Sequence, residues 1–213
     1  MTFAFRLIAI VLAFGGVSCR TAQPAPRPPI IQPGAPGETS RVISAGNAVD
    51  LSHVQHTGAD ERFMQGMVGH HLQALDMTAL LATRTASDQM RKLAQRIEVS
   101  QSDEITMMRR WLEVRGLAVP GDHAHHMGGP LMPGMLTGEE IDRLATVKGL
   151  EFDRLFLEFM IKHHEGALVM VKALFSTPRA GQESEIFAFA SDVDADQRME
   201  INRMGIMLRE LQK

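Results

Sequence analysis

Two histidine pairs carry the chemistry open to this sequence. Met67, His70 and His71 stand in FMQGMVGHHLQALDM (63–77), and Met160, His163 and His164 repeat their spacing in FLEFMIKHHEGALVM (156–170). Both phrases otherwise read as the buried face of a helix, with apolar residues three and four apart. Neighbouring residues on a helix differ in direction by about 100°. One ring of each pair therefore points into the core, and the other lies at the edge of the stripe, facing an adjacent helix. Glu104 and Glu200 fall on the apolar stripes of two further helices. A carboxylate buried alone is costly, and histidine is the nearest candidate partner. Two readings stay open from the residues. Glu–His contacts set the helix register, since buried polar groups are nearly always paired. Alternatively, imidazoles hold a metal, with each Glu as a ligand or as the acceptor for the second ring N–H. Imidazole with thioether suits copper, whereas imidazole with carboxylate suits zinc or iron. A second patch lies in GDHAHHMGGPLMPGM (121–135), with His123, His125, His126 and Met127 followed by Met132 and Met135. His-rich tracts of this kind commonly bind metals. Its glycines and prolines predict a flexible, exposed loop.

The elements that must position these residues are helices. The spacing predicts long helices over 59–84, 87–115, 150–175 and 182–211, and a short one over 137–148. Ser87 is the expected N-cap of the second. Thr137 and Glu140 form a capping box for the short helix. Gly116 and Pro120 stop the second helix, and Pro178 follows the third. No stretch shows sustained strand alternation. The first helix maps onto the third through Asp60, Phe63, Met67, His70, His71, Ala74, Leu75 and Met77, matching Asp153, Phe156, Met160, His163, His164, Ala167, Leu168 and Met170. The second maps onto the fourth through Gln101, Glu104, Ile105 and Met108, matching Gln197, Glu200, Ile201 and Met204. Two copies of one helical hairpin make an all-α, up-down four-helix bundle. Repeat one covers 59–115, the insert 116–149 and repeat two 150–212. His70 lies about 14 residues from the end of its helix and Gln101 about 14 from the start of the next, so they share a level roughly 20 Å from the turn. With the first and third helices parallel, both histidine pairs meet in one layer.

The chain has 213 residues and needs no disulfide to bury a core, and Cys19 is its one cysteine. A formal net charge of −3, from 22 basic and 25 acidic residues, gives no basic patch for nucleic acid. Arg6, the apolar run 7–14 and the small residues before Cys19 have the form of an export signal over 1–19. GVSC resembles a lipoprotein signal whose cysteine is acylated, although Gly16 stands where that pattern usually has Leu. A lipid anchor at Cys19 and ordinary secretion into the periplasm or cell envelope both stay open. Residues 20–50 read as a Pro-rich flexible linker, with six of the ten prolines between Gln23 and Gly37. The bundle domain is expected over 51–213.

The doubled FMQGMVGHH and FLEFMIKHHEGA phrases, each followed by Gln-x-x-Glu-Ile, resemble the bacterial family known as domain of unknown function 305. The likeness spans residues 51–213, the HHMGG…MPGMLTGEE insert included. It implies a ferritin-like four-helix bundle, usually exported, with some members linked to copper binding and copper resistance in the periplasm. Carried over by motif, it points to Met67, His70, His71, Met160, His163 and His164, with the insert's His and Met as accessories. The expectation is an exported, non-catalytic protein that sequesters or passes on copper. One alternative is a ferritin-like metalloenzyme, but such sites use four carboxylates and Glu-x-x-His pairs, whereas only two core glutamates are in view. The other is a structural or partner-binding bundle without metal. No nucleophile arrangement or phosphate-binding glycine loop is present.

Overall fold

The computed structural model describes residues 28–32, 39–49, 54–123 and 131–212. The expected signal 1–19, Cys19, and His125, His126 and Met127 lie outside the described residues. The chain divides into two compact units, Met1–Val49 and Asp50–Lys213. In the first, β1 (Ile30–Gln32) pairs antiparallel with β2 (Arg41–Ile43), Ile31 opposite Val42, and α1 (Ala45–Val49) follows. Three-residue strands are too short to leave an alternation in the sequence.

The second unit is the helical bundle. Its elements are α2 (Gly58–Ala79), α3 (Leu81–Arg84), α4 (Asp88–Glu113), α5 (Gly138–Thr146), α6 (Gly149–Ser176) and α7 (Ser184–Leu211). Local chemistry sets the boundaries. Thr57 and Asp60 form a capping box on α2, Ser87 accepts from Met90 N–H on α4, and Thr137 and Glu140 form the box on α5. The expected first helix is split at Leu80 into α2 and α3. Among the described residues no helix is long and apolar enough to cross a membrane.

Two apolar clusters fill the bundle. One joins Phe63, Met67, Met108, Trp111, Val171 and Phe189. The other joins Met77, Leu93, Ile97, Phe156, Met160 and Met204. The start of α2 thus packs with the end of α6, and the end of α2 with the start of α6. The expected parallel course of these two helices is corrected: they run antiparallel, and so do α4 and α7. The reason lies in the insert. It leaves α4 with Leu117 on the first cluster and reaches the second through Leu136 and Leu144, so it runs the length of the bundle and restarts the chain at the far end. This is the long crossover of ferritin-like bundles. The expectation of an exposed loop over 121–135 is corrected at its end, because Met135 is only 5% exposed.

A pseudo-two-fold relates the halves, and two buried aspartates mark it. Asp60 Oδ1, at the start of α2, accepts from Gly181 N–H at 2.7 Å, in the turn after α6. Asp153, its repeat partner at the start of α6, is buried and faces Thr85 in the turn after α3. Asp60 Oδ2 also accepts from Thr57 N–H at 2.6 Å. Removing this carboxylate strips one cap and leaves a buried N–H unpaired. Asp60→Ala is expected to lower unfolding free energy by about 3 kcal/mol in urea denaturation. A loss near zero would mean that the reciprocal contacts do not hold the halves together.

Candidate metal centre

The two apolar clusters meet at a polar layer built from the middles of α2 and α6. His70, His71, His163 and His164 are all at most 1% exposed. Helix direction assigns each ring a different neighbour. His70 and His163 face each other across the two-fold, ring centroids 3.8 Å apart and planes tilted 38°. His71 and His164 turn to the other helix of their own hairpin. His71 Nε2 donates to Glu104 Oε2 on α4. His164 Nε2 donates to Glu200 Oε2 on α7 at 2.6 Å. Within each pair the rings stand 6.2 Å apart at 57°, the same in both halves. These glutamates keep a route outward. Glu104 also lines a cavity of about 300 Å³ between α4 and α7 with Ser100, Asp103, Asp192 and Asp196. Glu200 lines a neighbouring one of about 470 Å³. Burial and the carboxylates of Glu104, Glu200 and Asp192 raise the pKa of Asp196 in this seam.

The layer holds more nitrogens than partners. His70 Nε2 donates to the Pro133 carbonyl at 3.0 Å. The Nδ1 atoms of His70, His71 and His164 have no partner, and His163 has none at either nitrogen. Orphaned polar atoms in a core call for a reason such as an ion. Burial first, and then the neighbouring histidines, push the His70 pKa from 6.5 down to about 3, against the opposing pull of the Pro133 carbonyl. Burial first, and then His70, His164 and His71, put His163 well below 6.5, against the pull of the His70 backbone carbonyl. Both rings are neutral near pH 7 and carry lone pairs, the form a metal takes.

The thioethers flank this layer. Met67 and Met160 sit one turn before the first histidine of each pair, and both are fully buried. Met108 and Met204 are likewise buried one turn beyond Glu104 and Glu200. The structure thus brings together His70, His71, Glu104, His163, His164 and Glu200, with Met67 and Met160 adjoining. It leaves His123 apart: that residue is exposed, next to Asp122, whose carboxylate holds Arg109 at 2.7 Å. Among the described residues no three or more His, Cys, Asp or Glu side chains converge as a cage. The donors meet in twos, and the two glutamates each commit an oxygen to a histidine. Sequence reasoning missed Pro133 and Gln73, which act on this layer from the insert and from α2. The signal for Gln73 was a mismatch in the repeat, where Gly166 takes its place.

An antiparallel helical bundle with a two-fold imidazole layer in its core defines the class. The Domain of unknown function (DUF305) family profile matches residues 60–208, and the chain belongs to that family. A DUF305 protein from Streptomyces coelicolor, inferred to be secreted, is 30% identical with a TM-score of 0.62; the match covers 72% of this chain and 94% of that one. A DUF305 fragment from Deinococcus radiodurans is 29% identical with a TM-score of 0.63, covering 73% and 98%. CopM, solved in Cu(I)-, Cu(II)- and Ag-bound forms, is 26% identical in its Cu(I) form with a TM-score of 0.57, covering 71% and 96%. A 58-residue stretch is 34% identical to the uncharacterized protein L153 of Acanthamoeba polyphaga mimivirus; it spans 38% of that protein's length.

The low His70 pKa makes a pH prediction. The unfolded chain takes up a proton near pH 6.5 that the folded core refuses until about 3. Stability from this source is therefore full above 6.5 and falls as the pH drops, by up to about 1.4 kcal/mol per pH unit. In metal-free protein, His70→Leu should flatten the stability–pH slope between about pH 6 and 4 by that amount, measured by urea denaturation. Equal slopes in parent and variant would show that His70 is not held neutral.

Proposed function

We propose that this chain is an exported copper-binding protein that holds the ion at the imidazole layer and sequesters or transfers it without catalysis. The observation that carries the reading is the His70–His163 pair: two neutral rings in contact, with unpartnered nitrogens, inside an otherwise apolar core. The donor chemistry supports copper. Neutral imidazoles backed by buried thioethers suit a soft, low-coordinate ion such as Cu(I). The carboxylates support the histidines instead of forming a hard-ion cage, and the buried thioethers favour copper over zinc or iron. His70, His71, His163 and His164 would supply nitrogen, and Met67 and Met160 sulfur. Glu104 and Glu200 would orient His71 and His164 through their Nε2–H bonds. The metal-bound CopM structures lend the reading support from within the fold.

Export is supported by the signal-like start and by the Streptomyces relative inferred to be secreted. Acylation of Cys19 belongs to the same proposal, with residues 20–50 as the tether. His123, His125, His126 and Met127 would serve as a capture patch on the insert that feeds the core.

Loading the purified protein with Cu(I) or Ag(I) and counting bound ions by elemental analysis tests the site. Replacing His70, His71, His163 and His164 by Gln should abolish the core-bound ion while circular dichroism keeps its helical signal. A variant that binds as the parent does would place the metal elsewhere. Replacing His123, His125 and His126 by Ser should slow uptake and leave the final core occupancy unchanged.

A further inference from the structure

The insert crosses the imidazole layer at residues 133–136, and it does so with an asymmetry the repeat does not predict. Gln73 on α2 and Gly166 on α6 occupy equivalent places, three residues beyond His70 and His163. Gln73 grips the strap. Its Oε1 accepts from Leu136 N–H at 2.7 Å and its Nε2 donates to Leu136 O at 3.0 Å. Gly166 lets the strap through. A Cβ there would stand 2.0 Å from Pro133 O and 2.5 Å from Gly134 Cα. Gly134 has φ +76°, and a Cβ on it would meet Gly166 Cα at 2.6 Å. Glycine inside a helix costs roughly 1 kcal/mol relative to alanine. Here backbone-to-backbone contact with the strap offsets that cost.

The contact ends at one ring. With Pro133 seated, its carbonyl accepts from His70 Nε2, whereas the equivalent His163 has no partner at either nitrogen. A carbonyl can only accept, so the proton must sit on Nε2 and the lone pair on Nδ1. We infer that the Pro133–Leu136 strap, gripped by Gln73 and admitted by Gly166, positions His70 by fixing its tautomer, so that Nδ1 is the nitrogen it offers to a soft monovalent ion. This rests on reading the layer as a metal site. Gln73, Pro133 and Gly166 are positioning residues that touch no ion themselves. The strap breaks the two-fold: it reaches one histidine of the pair and not its mate.

The test uses the full chain, metal-free and ¹⁵N-labelled. Long-range ¹H–¹⁵N correlation of the imidazoles reads the tautomer directly. In the parent, His70 should show one form, protonated at Nε2. Gly166→Ala should unseat the strap and Gln73→Leu should release its grip. Both should give mixed His70 tautomers and weaken Ag(I) binding about tenfold, the low end for loss of an orienting partner, with helical circular dichroism retained. Gln73→Leu leaves the α6 contact intact, so it decides alone if Gly166→Ala does not fold. A parent His70 protonated at Nδ1, or a tautomer and silver affinity unchanged in the folded variants, overturns the strap's role. Parent protein that takes up no silver overturns the metal reading instead, and the tautomer spectra separate the two failures.

Discussion

The structure is organised around a cost: neutral imidazole nitrogens sit in a helix core with too few hydrogen-bond partners. Burial disfavours the charged form of His70 and His163, so neither can escape through protonation near neutral pH. The apolar clusters at the two ends of the bundle supply the burial that keeps the layer in place. Glu104 and Glu200 each relieve one ring, and Pro133 relieves a third. The fourth, His163, makes no hydrogen bond of good geometry at either nitrogen. A purely structural network would be expected to close that gap. The residue types do not differ between a structural and a metal-binding layer; the open valences do.

Much of this was legible in the residues. The doubled Met-x-x-His-His phrase, with Gln-x-x-Glu-Ile following each copy, announced two hairpins and their internal equivalence. Ser87 and the Thr137–Glu140 box marked helix starts through chemistry local to a few residues. The helix direction was not legible, because a periodic stripe looks the same to a parallel or an antiparallel neighbour. The shared level survived that error for a geometric reason. Each histidine pair lies near the middle of its helix, and reversing a helix about its middle leaves the middle where it was. The strap was illegible for another reason. Gly166 reads as a weak helix residue until the Pro133 backbone, far away in the chain, is placed against it.

The polar seam between α4 and α7 relates the layer to solvent. Glu104 and Glu200 touch cavities on one side and His71 and His164 on the other. On α2 and α6, the strap covers the layer near His70. The buried rings thus have carboxylates on one flank and backbone on the other, so the two approaches differ in charge.

The reciprocal aspartates carry an implication about origin. Asp60 bonds the turn of the second hairpin, and Asp153 faces the turn of the first. Each half therefore presents a self-complementary surface, the kind that two identical chains use around a dyad. An unfused hairpin could build the same body as a homodimer, forming every cross-contact twice. Within one polypeptide the two copies need not be identical. A single linker can then lie on one face, and Gln73 and Gly166 can differ.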